Sequence, residues 1–429
     1  MISNDLLAAL CALGLLPLLA SGSRRAVGWS TVGSILIILG VASALPDWTA
    51  LGAAPSTFLA VSAGFVWLGL GCLGFGVWSA TMAKEPFALG KLGPVGANLG
   101  ITLAALTTAF VTYRVWPLLF AGSWRGIVAA LGLGGTGVVL GTVISLARVA
   151  RGVRWLDERW LARRYEMAPC LEEWGRRITW GIVLAALAVV VLSPHLLISV
   201  AGALTVVVGA HRLAREGGRA PVVPVQPIIV ATALLTFTWL VVTIAGPDTS
   251  LSFPGILDAP LSETAEAMLA LFLGVGAWLL LGLWPFHGAG PGSALALVGG
   301  ALLIRWGTGL LPHGMVHAAP IFALVATIGA LHAAATGRVS EYAAALGVLA
   351  VTTGPPGAWV LFALASILAA MRLLDYAPPV PGLDRRQLGG IALIPALATV
   401  LPAALRGETF LTVIAIVAGV ALFRPSEHP

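Results

Sequence analysis

Long apolar runs separated by short polar connections repeat along the whole of this chain. A helix that crosses a bilayer needs about 20 predominantly apolar residues, and most of the runs approach or exceed that length. The pattern predicts about fifteen spanning helices, or about thirteen if two weakly divided pairs, 178–211 and 340–374, are single spans. The predicted ranges are 5–21, 27–46, 56–82, 94–113, 124–149, 178–193, 195–211, 223–246, 264–287, 292–311, 314–335, 340–353, 357–374, 388–405 and 409–423.

Charged residues are distributed between these runs according to their sign. If the N-terminus is outside, the inside connections hold nearly all of the arginine and lysine, as the positive-inside rule requires. The sequence therefore predicts a multi-pass protein of the cell inner (cytoplasmic) membrane, with an outside N-terminus and a cytoplasmic C-terminus. The inside basic residues include Arg24, Arg25, Lys84, Lys91, Arg212, Arg215, Arg338 and Arg424, and the outside acids are Asp47, Asp248, Asp258 and Glu263.

The composition excludes a soluble protein. Of the 429 residues, 59% are hydrophobic and 10% are charged, and the mean hydropathy is +0.97. Such a chain has too little polar surface to cover itself in water. We therefore expect an all-α, polytopic transmembrane helix bundle that forms a single domain over 1–429, with the lipid bilayer around it. Because topology explains the net charge of +6, no nucleic-acid partner is implied.

The N-terminal apolar run and the cysteines indicate whether a cleaved signal peptide, a disulfide or a cysteine metal site is expected. The apolar run 6–19 is followed, not preceded, by positive charge, which favours a first transmembrane helix over a cleaved signal peptide. Cys11, Cys72 and Cys170 are scattered and form no CxxC spacing, so neither a disulfide nor a cysteine metal site is expected.

The longest connection, 151–177, carries charges of both signs. Its apolar residues recur at three-, four- or seven-residue steps, which places them on one face of a helix that Pro169 interrupts. The segment is predicted to be an amphipathic connection on the cytoplasmic membrane surface, and binding of a partner protein is the alternative. The apolar residues are Val153, Leu156, Trp160, Met167, Leu171 and Trp174.

Ionisable residues inside the apolar runs are the candidates for chemistry, because a charge at membrane depth is costly. Soluble-enzyme motifs such as a phosphate-binding glycine loop, GxSxG or HExxH do not occur. Arg305 is the deepest such residue, about halfway along the run 292–311. Its guanidinium stays protonated and must face a partner, backbone carbonyls or water. The sequence fits both a structural arginine that joins two helices and an arginine of an ion path.

Three histidines lie on the predicted helix that follows. His313 and His317 are four residues apart and therefore share one face, and His332 lies near the other end. Imidazole titrates near neutral pH, so these residues are candidates for a proton relay. Structural hydrogen bonding is the simpler interpretation, and two histidines on one turn do not define a haem or metal site.

Two further features flank this region. Pro285 removes a backbone donor and is predicted to break the last turn of helix 264–287, with His287 at its cytoplasmic end. Loosened membrane helices are tolerated where they line a cavity. Arg338 lies one turn before Glu341, and this spacing predicts an ion pair.

The order of these elements is informative. Pro285-Phe286-His287 ends one apolar run, Pro291 follows, and the next run carries Arg305-Trp306-Gly307. This order resembles the antiporter-like subunits of respiratory complex I, which are related to Mrp-type cation/proton antiporters and membrane-bound hydrogenases. In that family a discontinuous helix ends in Pro-Phe-His or Pro-Leu-His, and the next helix carries a buried lysine that a small residue often follows.

The resemblance centres on 264–354 and includes "GRVSEYAAALG", 337–347, where Arg338 and Tyr342 match the family pattern. It implies a bundle of about fourteen helices with discontinuous helices and inverted repeats. It also implies a membrane subunit of an energy-converting redox or ion-translocating complex, whose partners are the other membrane subunits and which binds no cofactor itself. The proton path that we predict comprises Arg305, His313, His317, His332 and His287.

The chain departs from the family at its proton-carrying positions. Leu280 stands where the family has a lysine five residues before the proline, and no acid lies mid-helix between 94 and 246. Ala289 and Gly292 replace a tryptophan and an aspartate. Because arginine does not release a proton at working pH, we expect proton translocation to be weakened or lost and the role to be largely scaffolding.

Two other classes of function fit parts of the sequence. A stand-alone secondary transporter of a small anion would bind its substrate at Arg305, because such sites lie near the bilayer midplane. A membrane enzyme acting on lipid-linked substrates would need acids on an outer loop. Only Asp248 and Asp258 are available for that role, among turn-forming Pro and Ser residues.

Overall fold

The computed structural model describes residues 24–43, 167–192, 196–216, 261–286, 296–351, 355–374, 385–405 and 410–423, with single residues between 65 and 72 and between 230 and 244. Within these ranges all regular structure is helical and no strand occurs. The helices are α1 (Arg24–Ser43), α2 (Met167–Leu192), α3 (Leu196–Glu216), α4 (Glu263–Leu281), α5 (Ala296–Ala301), α6 (Pro312–Thr336), α7 (Val339–Ala350), α8 (Pro355–Leu374), α9 (Arg385–Leu405) and α10 (Phe410–Ala418).

Two short segments extend this set. A π-helical segment, Leu302–Thr308, continues α5, and a 3-10 segment, Gly419–Phe423, continues α10. Two of the described helices, α4 and α6, are long and apolar enough to cross a membrane, and the apolar parts of the others are shorter. The described part of the chain is therefore all-α, as the apolar pattern predicts.

The start of α2 differs from the prediction. The helix begins at Met167, inside the predicted connection 151–177, and continues without interruption to Leu192. The predicted break at Pro169 does not occur, because Pro169 is the third residue of the helix, where a backbone N–H has no helical acceptor. The rest of the predicted amphipathic connection, 151–166, lies outside the described residues.

The described helices belong to two compact units, with α1 and α2 in the first and α3 to α10 in the second. In the first unit, the indole Nε1 of Trp180 donates a hydrogen bond to Thr31 Oγ1 at 3.1 Å, and both side chains are buried. A polar pair of this kind joins the two helices where the surroundings offer no water.

The core of the second unit is formed where α5, α7 and α8 meet around Phe362. The ring of Phe362 is fully buried and lies against two glycines on the neighbouring helices. A Cβ at Gly300 would come within 2.4 Å of this ring, and a Cβ at Gly347 within 2.7 Å. The absence of side chains at both positions allows the two helices to approach the same aromatic ring, which is the usual role of glycine between apolar helices.

The connection between α6 and α7 consists of Gly337 and Arg338. Gly337 ends α6 in the left-handed region with φ 70°, and the N–H of Arg338 bonds to Ala333 O at 2.8 Å. This is the glycine-terminated C-cap common at helix ends. Because the link is so short, α6 and α7 are adjacent and Arg338 is held at the start of α7.

Candidate functional site

Arg305 lies in the π-helical segment of the second unit and is 4% exposed. The N–H of Gly309 bonds to Ile304 O, five residues earlier, and the hydroxyl of Thr308 donates to the same carbonyl. A π turn inserts one extra residue into a helix, so it changes the direction of the side chains that follow it. Such turns are frequent at functional sites, and this one contains the arginine that the sequence singles out.

The residues around Arg305 form a closely packed wall. Every residue from Leu302 to Gly307 is buried. A Cβ at Gly307 would come within 2.9 Å of Met315 Sδ, so α6 packs directly onto the π-helical segment at this point. A side chain at Gly307 would therefore require the Met315 side chain to move.

The predicted proton-path residues do not share one environment. His313 and His317 lie on the exposed face of α6, whereas Arg305 is buried in the preceding helix. His332 is half-buried and follows His317 by 15 residues, which corresponds to about 22 Å along the helix axis. Direct proton transfer between these two histidines is excluded at that distance, because hydrogen bonds require donor–acceptor distances near 3 Å. His287 lies outside the described residues.

Pro285 lies beyond the end of α4. The helix ends at Leu281, six residues before its predicted end, because Gly282 adopts the left-handed region with φ 62°. The chain then turns, with a cis peptide bond between Trp284 and Pro285. Trp278 Nε1 donates to Trp284 O at 3.0 Å and fixes the turn against the helix. The helix end is thus set by Gly282 rather than by a proline break at Pro285.

Arg338 and Glu341 form the ion pair that their spacing predicts. Arg338 Nη1 lies 3.2 Å from Glu341 Oε1 and 3.5 Å from Oε2. The arginine side chain is 36% exposed and that of the glutamate is 12% exposed. The pair therefore lies at the edge of the interior, where an ion pair stabilises the fold modestly.

Tyr342, the residue after Glu341, is fully buried. Its hydroxyl donates to Ala415 O at 3.1 Å, and its other possible acceptor, Ile416 O, is at 3.4 Å. The tyrosine thus connects α7 to α10. In the sequence it appears only as a match to a family segment, and the structure gives it a packing role.

Glu266 is a buried acid that the sequence analysis does not single out. It lies in the first part of α4, is 9% exposed, and its Oε2 accepts a hydrogen bond from the backbone N–H of Gly314 at 3.3 Å. This N–H belongs to the first turn of α6, where backbone donors have no helical acceptor. A carboxylate at a helix N-terminus is also favoured by the helix dipole. The sequence did contain a signal for this residue, because an acid one turn inside a predicted apolar run is unusual.

The described residues also limit metal chemistry. Among them, no group of three or more His, Cys, Asp or Glu side chains lies close enough to hold a metal ion. The chemically distinctive feature of the site is therefore a fixed positive charge in an apolar interior, with histidines at the surface of the next helix.

Comparisons with protein-family models, with curated proteins and with solved structures find no match for this chain.

Proposed function

We propose that this chain is a divergent antiporter-like integral membrane subunit of an energy-converting redox or ion-translocating complex. In this proposal its main role is to act as a membrane scaffold, and its own proton translocation is weakened or lost. The observation that carries the proposal is the burial of Arg305 in the helix that follows the Pro-Phe-His segment. A proton-carrying site needs groups whose pKa values can cross the working pH, and a guanidinium does not meet that condition.

The positions of the other candidates support a scaffold rather than a relay. His313 and His317 are exposed on α6, and Arg305 is buried in the π-helical segment. The two acids buried in the described part of the second unit, Glu266 and Glu341, have structural contacts with Gly314 and Arg338. The first contact joins α4 to α6, and the second holds the start of α7, so both support a structural role for the acids.

The proposal also includes a topology and a set of partners. The distribution of arginine and lysine supports a multi-pass protein of the cell inner membrane with an outside N-terminus and a cytoplasmic C-terminus. The partners are other membrane subunits of the complex, and no cofactor is assigned to this chain.

Purification in a mild detergent, followed by identification of the co-purifying proteins, tests the proposal. We expect stoichiometric membrane subunits together with partners that carry iron–sulfur clusters or a nickel site. Isolation of the chain alone or as a homo-oligomer, under conditions that preserve other membrane complexes of the same cells, would contradict it.

A stand-alone transporter of a small anion is the second candidate, and the same buried charge favours it. A guanidinium in a low-dielectric interior attracts anions strongly, and π turns often occur at binding sites. Reconstitution of the purified chain into liposomes tests this function. Uptake of a small anion that is lost in Arg305→Gln would support it, and no uptake by the wild-type chain would exclude it.

A further inference from the structure

A cavity of about 400 Å³ lies in the second unit between the π-helical segment, α6 and the end of α7. Its lining is apolar except for Thr308, whose hydroxyl already donates to Ile304 O within its own helix. A polar ligand would lose its hydrogen bonds to water on entering such a cavity, and that loss disfavours binding. The volume falls in the range of roughly 300–1,000 Å³ that small-molecule sites occupy. The cavity therefore selects an apolar occupant.

The lining residues show that the cavity extends along α6. On α6 they recur at three- or four-residue steps from Pro312 to Ala323, so the cavity follows one face of the helix. This distance corresponds to about 16 Å at 1.5 Å per residue. An apolar cavity of this volume and length suits one extended hydrocarbon chain.

The mouth of the cavity opens onto an apolar face of α6. Val316 contributes to the lining and is itself 72% exposed, and the exposed side chains of Ile321 and Leu324 continue along the helix surface. Because α6 is long and apolar enough to cross a membrane, this face would meet lipid acyl chains in a bilayer. An acyl chain could enter sideways without crossing a polar surface.

Two polar side chains lie beside the mouth at the start of α6. His313 and His317 are exposed, and neither lines the cavity. His313 lies three residues before the lining residue Val316 and four before His317, so it is a neighbour of both on the helix surface. They lie at the end of the apolar span, where headgroups are found, and imidazole N–H groups can donate to phosphate oxygens. We propose that the cavity binds one acyl chain of a membrane phospholipid, whose phosphate group lies against His313 and His317. This site is independent of whether the chain belongs to a larger complex.

Native mass spectrometry of the full chain, released from nanodiscs made of a single phosphatidylglycerol, tests the site. Ala319→Phe places a ring in the cavity, and Ala335→Phe makes the same change at an exposed position of the same helix. A ring that displaces about two methylene units corresponds to roughly a tenfold loss of affinity. We expect retained phospholipid in the wild type and in Ala335→Phe, and about tenfold less in Ala319→Phe. Equal retention in the two variants, or none in the wild type, would overturn the proposal.

A measurement on the unmodified chain covers the case in which Ala319→Phe does not fold. A phospholipid with a photoreactive group on its acyl chain is incorporated into the nanodiscs, and the labelled peptides are identified. Concentration of the label on the stretch from Met315 to Ala323 supports the site, and uniform labelling of all the lipid-facing helices overturns it.

The headgroup contact has its own test. Replacing His313 and His317 together by alanine leaves the cavity unchanged and removes two donors from its mouth. We expect phospholipid retention to fall several-fold, because each lost hydrogen bond to a phosphate weakens binding. Unchanged retention in the double variant would show that the phosphate does not lie against these histidines.

Discussion

The carboxylate of Glu266 and the backbone N–H of Gly314 join α4 to α6 through a hydrogen bond of 3.3 Å between Oε2 and N. The backbones of the two helices are very close at this point, because a Cβ at Gly314 would come within 2.2 Å of Glu266 O. The two described helices that are both long and apolar enough to cross a membrane are therefore joined by a hydrogen bond and by close packing.

Removal of the Glu266 carboxylate should destabilise the fold. Glu266→Ala leaves the N–H of Gly314 buried without this acceptor, at an expected cost of about 1–2 kcal/mol in the free energy of unfolding. Glu266→Gln retains an acceptor oxygen and should cost less. Unfolding in mixed micelles with increasing denaturing detergent measures the difference. The matched control is Glu263→Ala, an exposed acid in the first turn of the same helix, which should have little effect. Equal losses for Glu263→Ala and Glu266→Ala would contradict the role of the hydrogen bond.

Gly314 should tolerate no side chain. In Gly314→Ala the new methyl group would meet backbone atoms of α4, which cannot rotate away, so we expect a loss of about 3 kcal/mol or failure to fold. Gly309→Ala is the control, because its Cβ would meet only Ile304 O at 3.9 Å. The same unfolding assay and the yield of monodisperse protein measure both variants. Similar behaviour of the two alanine variants would show that α4 and α6 are not in close contact.

Tyr342 and Gly419 should show coupled effects. A Cβ at Gly419 would come within 2.3 Å of the Tyr342 hydroxyl, so Gly419→Ala should cost at least about 2 kcal/mol. Tyr342→Phe removes the bond to Ala415 O, at a cost of about 1 kcal/mol. The double variant should be more stable than the sum of the two effects predicts, by at least about 0.5 kcal/mol, because the phenylalanine leaves space for the methyl group. Strict additivity in the double-mutant cycle would refute this contact.

Arg305→Ala should separate a scaffold from a proton carrier. If the proposed role is right, vesicles that contain the whole complex should take up protons at an unchanged rate when Arg305 is replaced, provided that the subunits remain assembled. Uptake measured with a pH-sensitive dye, with assembly checked by native electrophoresis, gives the result. Loss of uptake in a fully assembled Arg305→Ala complex would refute the scaffolding role.

Within the described ranges, much of the helical pattern could be predicted from the sequence, because each apolar run is a local signal. The predicted range 314–335 differs from α6 (Pro312–Thr336) by two residues or fewer at either end. The ion pair between Arg338 and Glu341 was also predictable, since residues three apart on a helix are neighbours. The end of α4 was predicted less well, because the helix ends at the left-handed Gly282 and not at Pro285.

The contacts between helices could not be predicted in this way. The bond from Gly314 to Glu266 joins residues 48 positions apart, and no local pattern marks it. α6 is apolar on most of its surface, so hydropathy does not indicate which side carries exposed histidines and which side lines the cavity. The π turn is also invisible in the sequence, because no local pattern of residues marks it.

The π turn allows one helix to pack against different neighbours before and after it, with glycines that face in directions a regular α-helix would not give. Before the turn, Gly299 and Gly300 set the rotation of α5, because they lie against Leu281 and Phe362. After the turn, Gly307 sets the orientation of the helix about its own axis, because it lies against Met315. The extra residue of the π turn changes the orientation of the helix about its own axis, so that both sets of contacts can form. Arg305 lies in the segment where this change occurs. Deletion of one residue between 302 and 304 would restore regular α-helical geometry and force one of the two glycine contacts out of register.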